Sequence, residues 1–246
     1  MKNKIKTLLY MLHINGNIYL LRNKFALPAV TLSPLSFIFF IYIFGGVKAI
    51  QYGAMGGLIY IIVNSTFFAL SDIASYKTNN LFQDMIIASP IPLWAYLIGI
   101  GLGDIVYVIP AIAVFMILLV YITSISLFQI LLIIVVLLML WVFLLSICYH
   151  IAQKIEKNKD IWPILSLLSV VLSIFPPIFY PYTILPFNLQ MLALLAPTTS
   201  AAYTIHGIIY GFSFISVVGM IITFFLFVSG IVIIYFISFK IYRLKK

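Results

Sequence analysis

Blocks of about 20 apolar residues, each long enough to cross a bilayer core as a helix, recur along nearly the whole of this sequence. A chain inside lipid must satisfy its own backbone polar groups, so such blocks are read as transmembrane helices. Of the 246 residues only 8% are charged, about a third of the ~25% typical of soluble domains. Spans are expected at about 26 to 45, 53 to 73, 93 to 121, 127 to 150, 162 to 181 and 213 to 239. The fold class is therefore an all-α integral membrane protein with six transmembrane helices. The tails and connections left over are too short for a soluble domain.

A net charge of +9 could point to nucleic acid, but its placement points to the bilayer. With the N-terminus inside, thirteen of the 14 basic residues fall on inner segments: Lys2, Lys4, Lys6, Arg22, Lys24, Lys77, Lys154, Lys157, Lys159, Lys240, Arg243, Lys245 and Lys246. Only Lys48 is outside. This positive-inside bias places both termini in the cytoplasm and makes the span count even. No nucleic-acid partner is expected; lipid is. The lone Cys148 has no disulfide partner, and His13, His150 and His206 lack zinc-site spacing.

Residues 1 to 24 pair a basic start with Ile5, Leu8, Leu9 and Leu12 on one helical face, which predicts an uncleaved interfacial helix along the inner leaflet. Gly53 and Gly57 in span two, and Gly99 and Gly103 in span three, have the small-xxx-small spacing that lets helices approach closely. Pro28 and Pro34 predict a kink in span one.

Between spans two and three, Thr78 or Asn79 can cap a short amphipathic helix that Pro90 and Pro92 end. Leu81, Phe82, Met85 and Ile86 form its apolar face, with Asn80, Gln83 and Asp84 opposite. Lipid-surface helices are usually rich in Lys and Arg. This one holds an acidic residue and a single Lys at its edge, which favours a groove on a partner protein.

From Phe175 to Gly211 the chain carries no charge, yet Pro176, Pro177, Pro181, Pro186 and Pro197 interrupt it. It is too apolar for a solvated loop and too broken for one span. Two re-entrant helices on the outer side, about 188 to 195 and 198 to 210, are expected.

The sequence contains no phosphate-binding Gly-rich loop ending in Lys-Ser or Lys-Thr, no His-Glu-x-x-His and no Gly-x-Ser-x-Gly elbow, so ATP hydrolysis is not expected on this chain. Gly101-Leu102-Gly103-Asp104 matches the GxGD signature of intramembrane aspartyl proteases. That chemistry needs a second carboxylate at ~3 Å. The only candidate, Asp72, is expected at the inner end of span two, roughly 10 Å or more from the depth of Asp104. An intramembrane carboxylate is nonetheless a functional candidate by default. Asn64, Ser65, Thr66, Ser166, Ser169 and Ser173 could line a polar path, as could Asp72 and Asp104, although helix packing accounts for each polar residue equally well.

Met85-Ile86-Ile87-Ala88-Ser89-Pro90 with Tyr96-Leu97-Ile98-Gly99 is similar to an L-L-x-S/T-P and Y-L-L-G pattern. Phe179-Tyr180-Pro181, Leu185-Pro186, Leu189-Gln190 and Ala196-Pro197-Thr198-Thr199 are similar to an F-Y/F-P, L-P, L-Q/R and N-P-L/T-S/T pattern. In that order, over essentially the whole chain, these motifs resemble a type-2 ATP-binding-cassette exporter permease. Ala196 stands where that family usually has Asn, and His206 where many members have Arg.

The resemblance implies a division into residues 1–24, a cytoplasmic connecting helix, and 25–246, a single six-span permease domain. It implies that residues 77 to 89 form a coupling helix seated on an ATP-binding subunit, with Asn79, Leu81, Phe82, Gln83, Asp84, Met85 and Ile86 making the contact. Pro181, Pro186, Pro197, Thr198 and His206 would belong to an outer gate, and Asn64, Asp72 and Asp104 to a pathway. The chain itself would hold no cofactor and no metal and catalyse nothing; ATP and Mg would sit on the partner subunit. Two permease copies and two ATPases would form the working unit in the plasma membrane of a prokaryote. The expected cargo is lipid-like, drug-like or glycan-type. Alternatives from other classes are the GxGD protease and a non-catalytic scaffold or immunity protein.

Overall fold

The computed structural model describes residues 26–78 and 93–244, together with His13 and Met85. Eight helices carry the described chain: α1 (Ala26–Gly45), α2 (Ile50–Thr78), α3 (Leu93–Thr123), α4 (Leu127–Lys154), α5 (Ile161–Ser169), α6 (Phe187–Ala193), α7 (Pro197–Tyr210) and α8 (Phe214–Leu244). A π-helical turn, Val170–Ile174, continues α5, and 3-10 turns stand at Val47–Ala49, Asn158–Asp160 and Tyr182–Ile184.

The apolar blocks become helices because a helix satisfies its backbone within one segment. What ends them is local. Ser126 caps α4 by accepting from the Gln129 N–H while the Gln129 side chain accepts from the Ser126 N–H, a reciprocal capping box. Gly211 ends α7 at φ 97°, a backbone conformation that a side chain would strain, and turns the chain into α8. α1 runs through Pro34 as one helix.

α2 is the centre of the bundle. It packs against α1, α3 and α4, and also meets α5 and α7. Of its most apolar 18-residue stretch 83% is buried, against 17% for α8, although α8 is the more apolar. Apolar character therefore does not decide position; α8 turns Phe214, Phe224, Phe225 and Tyr235 outward, as a lipid-facing helix does. α4 forms the second contact centre, holding α7 and α8.

Among the described residues four helices are long and apolar enough to cross a membrane: Ile50–Thr78, Ala95–Thr123, Leu127–Lys154 and Phe214–Phe236. The pair α6–α7, bent by 113°, makes a fifth if it is one broken span, and is otherwise a re-entrant loop. α1 runs over Ala26–Gly45, the bounds expected for the first span, and at 1.5 Å per residue reaches about 30 Å. The helix expected over 162 to 181 stops at Ile174, about 21 Å from its start against a core of about 30 Å. Pro176 and Pro177 are the cause, since neither can donate the N–H that would extend it.

Span two also runs longer than expected, to Thr78 rather than 73. Residues 77 and 78 thus belong to α2, and the Thr78 hydroxyl donates back to the Ala74 carbonyl at 2.9 Å.

Candidate functional site

A groove lies between α2 and α5. Asn64, Phe67, Phe68 and Ser71 of α2 face Trp162, Leu165, Ser166 and Ser169 across about 220 Å³ of free volume. The α2 set follows i, i+3, i+4, i+7, a single helical stripe. Two of its polar groups are satisfied locally: Asn64 Nδ2 donates to the Tyr60 carbonyl at 2.8 Å, and Ser166 Oγ to that of Trp162 at 3.0 Å. The surface offered to a cargo is thus mixed, with aromatic faces beside hydroxyls and a spare amide oxygen.

The structure sorts the sequence candidates for a polar path. Asn64, Ser166 and Ser169 line the groove. Ser65 and Thr66 point into the packed core, donating to the carbonyls of Ile62 and Val63. Ser173 is fully buried in the π-helical turn. Sequence reasoning missed Ser71, whose signal was its spacing of seven from Asn64.

Asp72 and Asp104 fall elsewhere, on the side of α2 that meets α3 and α4. Because α2 extends to Thr78, Asp72 stands about 9 Å from its end, against about 16 Å for Asp104 from the start of α3. By these heights the two carboxylates differ by about 7 Å, less than the roughly 10 Å or more expected from sequence, because α2 runs on to Thr78. Asp104 is only 5% exposed and its Oδ2 has no hydrogen-bond partner, so no shared proton joins it to Asp72 through that oxygen. The neighbouring Tyr96 and Tyr149 hydroxyls are buried and likewise without a hydrogen-bond partner. No cluster of metal-ligating side chains occurs among the described residues.

At the opposite end, the broken segment builds an aromatic cluster. His206 stacks on Tyr52 at 6.1 Å, meets Tyr182 edge-on at 5.2 Å and approaches Tyr210 at 4.8 Å. Pro181 and His206 line a small pocket with Tyr52, Tyr180, Tyr182 and Tyr203. Polar contacts fasten this end: Tyr210 donates to Gln51 Oε1 at 2.7 Å, and Gln129 Nε2 to the Ile208 carbonyl at 2.7 Å. The structure thus joins Pro181 and His206 of the expected gate. Pro186 instead precedes α6 at an exposed position, Pro197 opens α7, and Thr198 is buried with its hydroxyl unpaired.

Of the expected coupling residues, Asn79, Leu81, Phe82, Gln83, Asp84 and Ile86 lie outside the described residues, as does the segment 1–24 apart from His13. Met85 is helical and 59% exposed.

The sequence matches the family model described as ABC-2 type transporter over residues 16–212. No curated protein matches it.

Proposed function

From the chain's membership of the ABC-2 type transporter family, which makes it a multi-pass transport subunit, we propose that it is the permease of an ATP-driven exporter with its cargo path along the α2–α5 groove. The observation that carries this is the groove itself, where two helices from different parts of the sequence turn hydroxyl, amide and aromatic groups toward one space. Amphipathic cargo suits that lining: a lipid-like, drug-like or glycan-type molecule.

Energy comes from a separate subunit that binds ATP and Mg. Its contact is the segment 77 to 89, with Asn79, Leu81, Phe82, Gln83, Asp84, Met85 and Ile86 at the surface and residues 1–24 lying beside it as a connecting helix. Residues 25–246 act as one six-span unit, with the α5 region as the short span. Two permease copies and two ATPases assemble in a prokaryotic plasma membrane with both termini in the cytoplasm. Nucleotide drives the cycle only through different affinities for the two access states, since a ligand shifts an equilibrium by no more than that difference. The aromatic cluster around His206 and Pro181 stands at the exit.

A pull-down in mild detergent tests this. The wild-type chain is expected to bring down an ATP-binding subunit, and a Phe82→Ala, Met85→Ala variant to lose it. Absence of an ATPase from both samples refutes the proposal.

A further inference from the structure

The first two residues of the segment expected to receive the ATPase, Lys77 and Thr78, are the end of α2, so what holds the last turn of α2 decides where a push on the rest of that segment goes. That turn is fastened to two other elements. Lys77 is half-buried, and its Nζ donates to the backbone carbonyls of Gln153 and Ile155, the latter at 3.0 Å. These carbonyls close α4. Terminal carbonyls of a helix lack intrahelical partners and carry the negative end of its dipole, so an ammonium supplied by a neighbouring helix binds them by charge as well as by hydrogen bonding. Half a turn earlier, Ser75 Oγ lies 3.4 Å from Asn158 Oδ1. Asn158 starts the 3-10 turn that leads directly into α5. α2 also packs against that turn and against α5 itself.

α5 is the far wall of the groove. A displacement of α2 alone would change the groove by moving one wall; a displacement passed through Lys77 moves the α4–α5 connection too, and with it Trp162, Ser166 and Ser169. Lys77 is well suited to this. Its side chain is long enough to bridge two helices, and its two acceptors lie on either side of the point where α4 ends.

We infer that Lys77 is the positioning residue that transmits motion of the ATPase-contact segment to α5, so that both walls of the groove move together. The inference rests on the proposed transporter function. It differs from a purely topogenic role for Lys77, in which any basic residue at that end of the bundle would serve equally.

The test uses the complex with its co-purified ATP-binding subunit and the pair Ser71→Cys, Ser166→Cys, one on each wall of the groove. Cys148 is the only native cysteine and is buried, so it does not compete for a short bifunctional thiol reagent. Cross-linking is followed without nucleotide and with ATP and vanadate. With Lys77 intact, nucleotide is expected to change the cross-linking rate by about tenfold, within the range usual for coupling between sites.

Lys77→Met should reduce that change to below about twofold while leaving the nucleotide-free rate as it was, which also reports an intact bundle. Lys77→Arg should retain most of the change. Lys77→Met with Thr78→Lys keeps the charge at the same end of the bundle but off the two carbonyls, and should not recover it. A full nucleotide response in Lys77→Met, or its recovery in the charge-shifted variant, overturns the inference while the transporter function stands. Absence of any co-purifying ATPase overturns both.

Discussion

Gly56→Ala is the substitution with the sharpest consequence for how the central helix meets the broken segment after α5. A Cβ at residue 56 would lie 2.5 Å from the Ile178 carbonyl oxygen, 2.6 Å from Phe179 Cδ1 and 3.0 Å from the Ile178 carbonyl carbon. Ordinary contact is about 3.5 Å, so the backbone at 178 must retreat by roughly 1 Å. Two of the three atoms are main chain and cannot rotate away. Overpacking of this kind costs about 1–3 kcal/mol, while replacing Gly in a helix gains about 1 kcal/mol. A net loss of about 1 kcal/mol follows, or roughly 2–4 °C in melting temperature for a chain of this size.

Gly53→Ala is the matched control. Its Cβ would sit 3.1 Å from Ile38 Cγ1 and 3.2 Å from Ile41 Cδ1, side-chain atoms that need give only a few tenths of an ångström. There the helix gain should win, and stability should hold or rise. The assay is thermal unfolding in detergent followed by a thiol-reactive dye, because the single Cys148 is buried and becomes reactive only on unfolding. A melting temperature for Gly56→Ala equal to or above that of Gly53→Ala would refute the close approach as the reason for glycine at 56.

Three further outcomes are expected. Ala196 occupies the N-cap of α7 with extended backbone angles and no side-chain cap bond, so Ala196→Asn should stabilise by about 0.5–2 kcal/mol, measured as a higher melting temperature. Single cysteines at Ser71, Ser166 and Ser169 should react with a water-soluble thiol reagent in membranes, whereas cysteines at Ser65 and Ser173 should not; equal reactivity of the two sets would remove the groove. Asp104→Asn keeps the size and shape of a buried side chain whose Oδ2 has no partner, so thermal stability should be little changed, and a loss of transport without a loss of stability would mark Asp104 as retained for function.

Much of the fold was legible in the sequence because bilayer thickness and backbone satisfaction leave few choices. The apolar blocks and the proline-broken outer segment each follow from local rules, and the helices at Phe187–Ala193 and Pro197–Tyr210 lie within about two residues of where those rules put them. Gly53 and Gly57 were legible as close-packing positions, but not their partners: Gly53 meets α1, whereas Gly57 meets Phe115 of α3. Gly56 carried no pattern at all, since what it touches is a backbone more than 100 residues away.

The site divides in the same way. Composition and periodicity alone determined that this chain is a helical membrane bundle and that Asn64, Asp72 and Asp104 are polar groups in apolar helices. Those properties depend on the chemistry of each residue and its neighbours within a turn or two. Only the tertiary structure decided which polar residues face one another. It turned Asn64 and Ser71 toward Ser166 and Ser169, set Asp72 within about 7 Å of the height of Asp104, and gave Lys77 two carbonyls of α4 to hold. Rotation and relative height of packed helices set these pairings, and both are fixed by interlocking side chains from distant segments rather than by hydrophobic pattern.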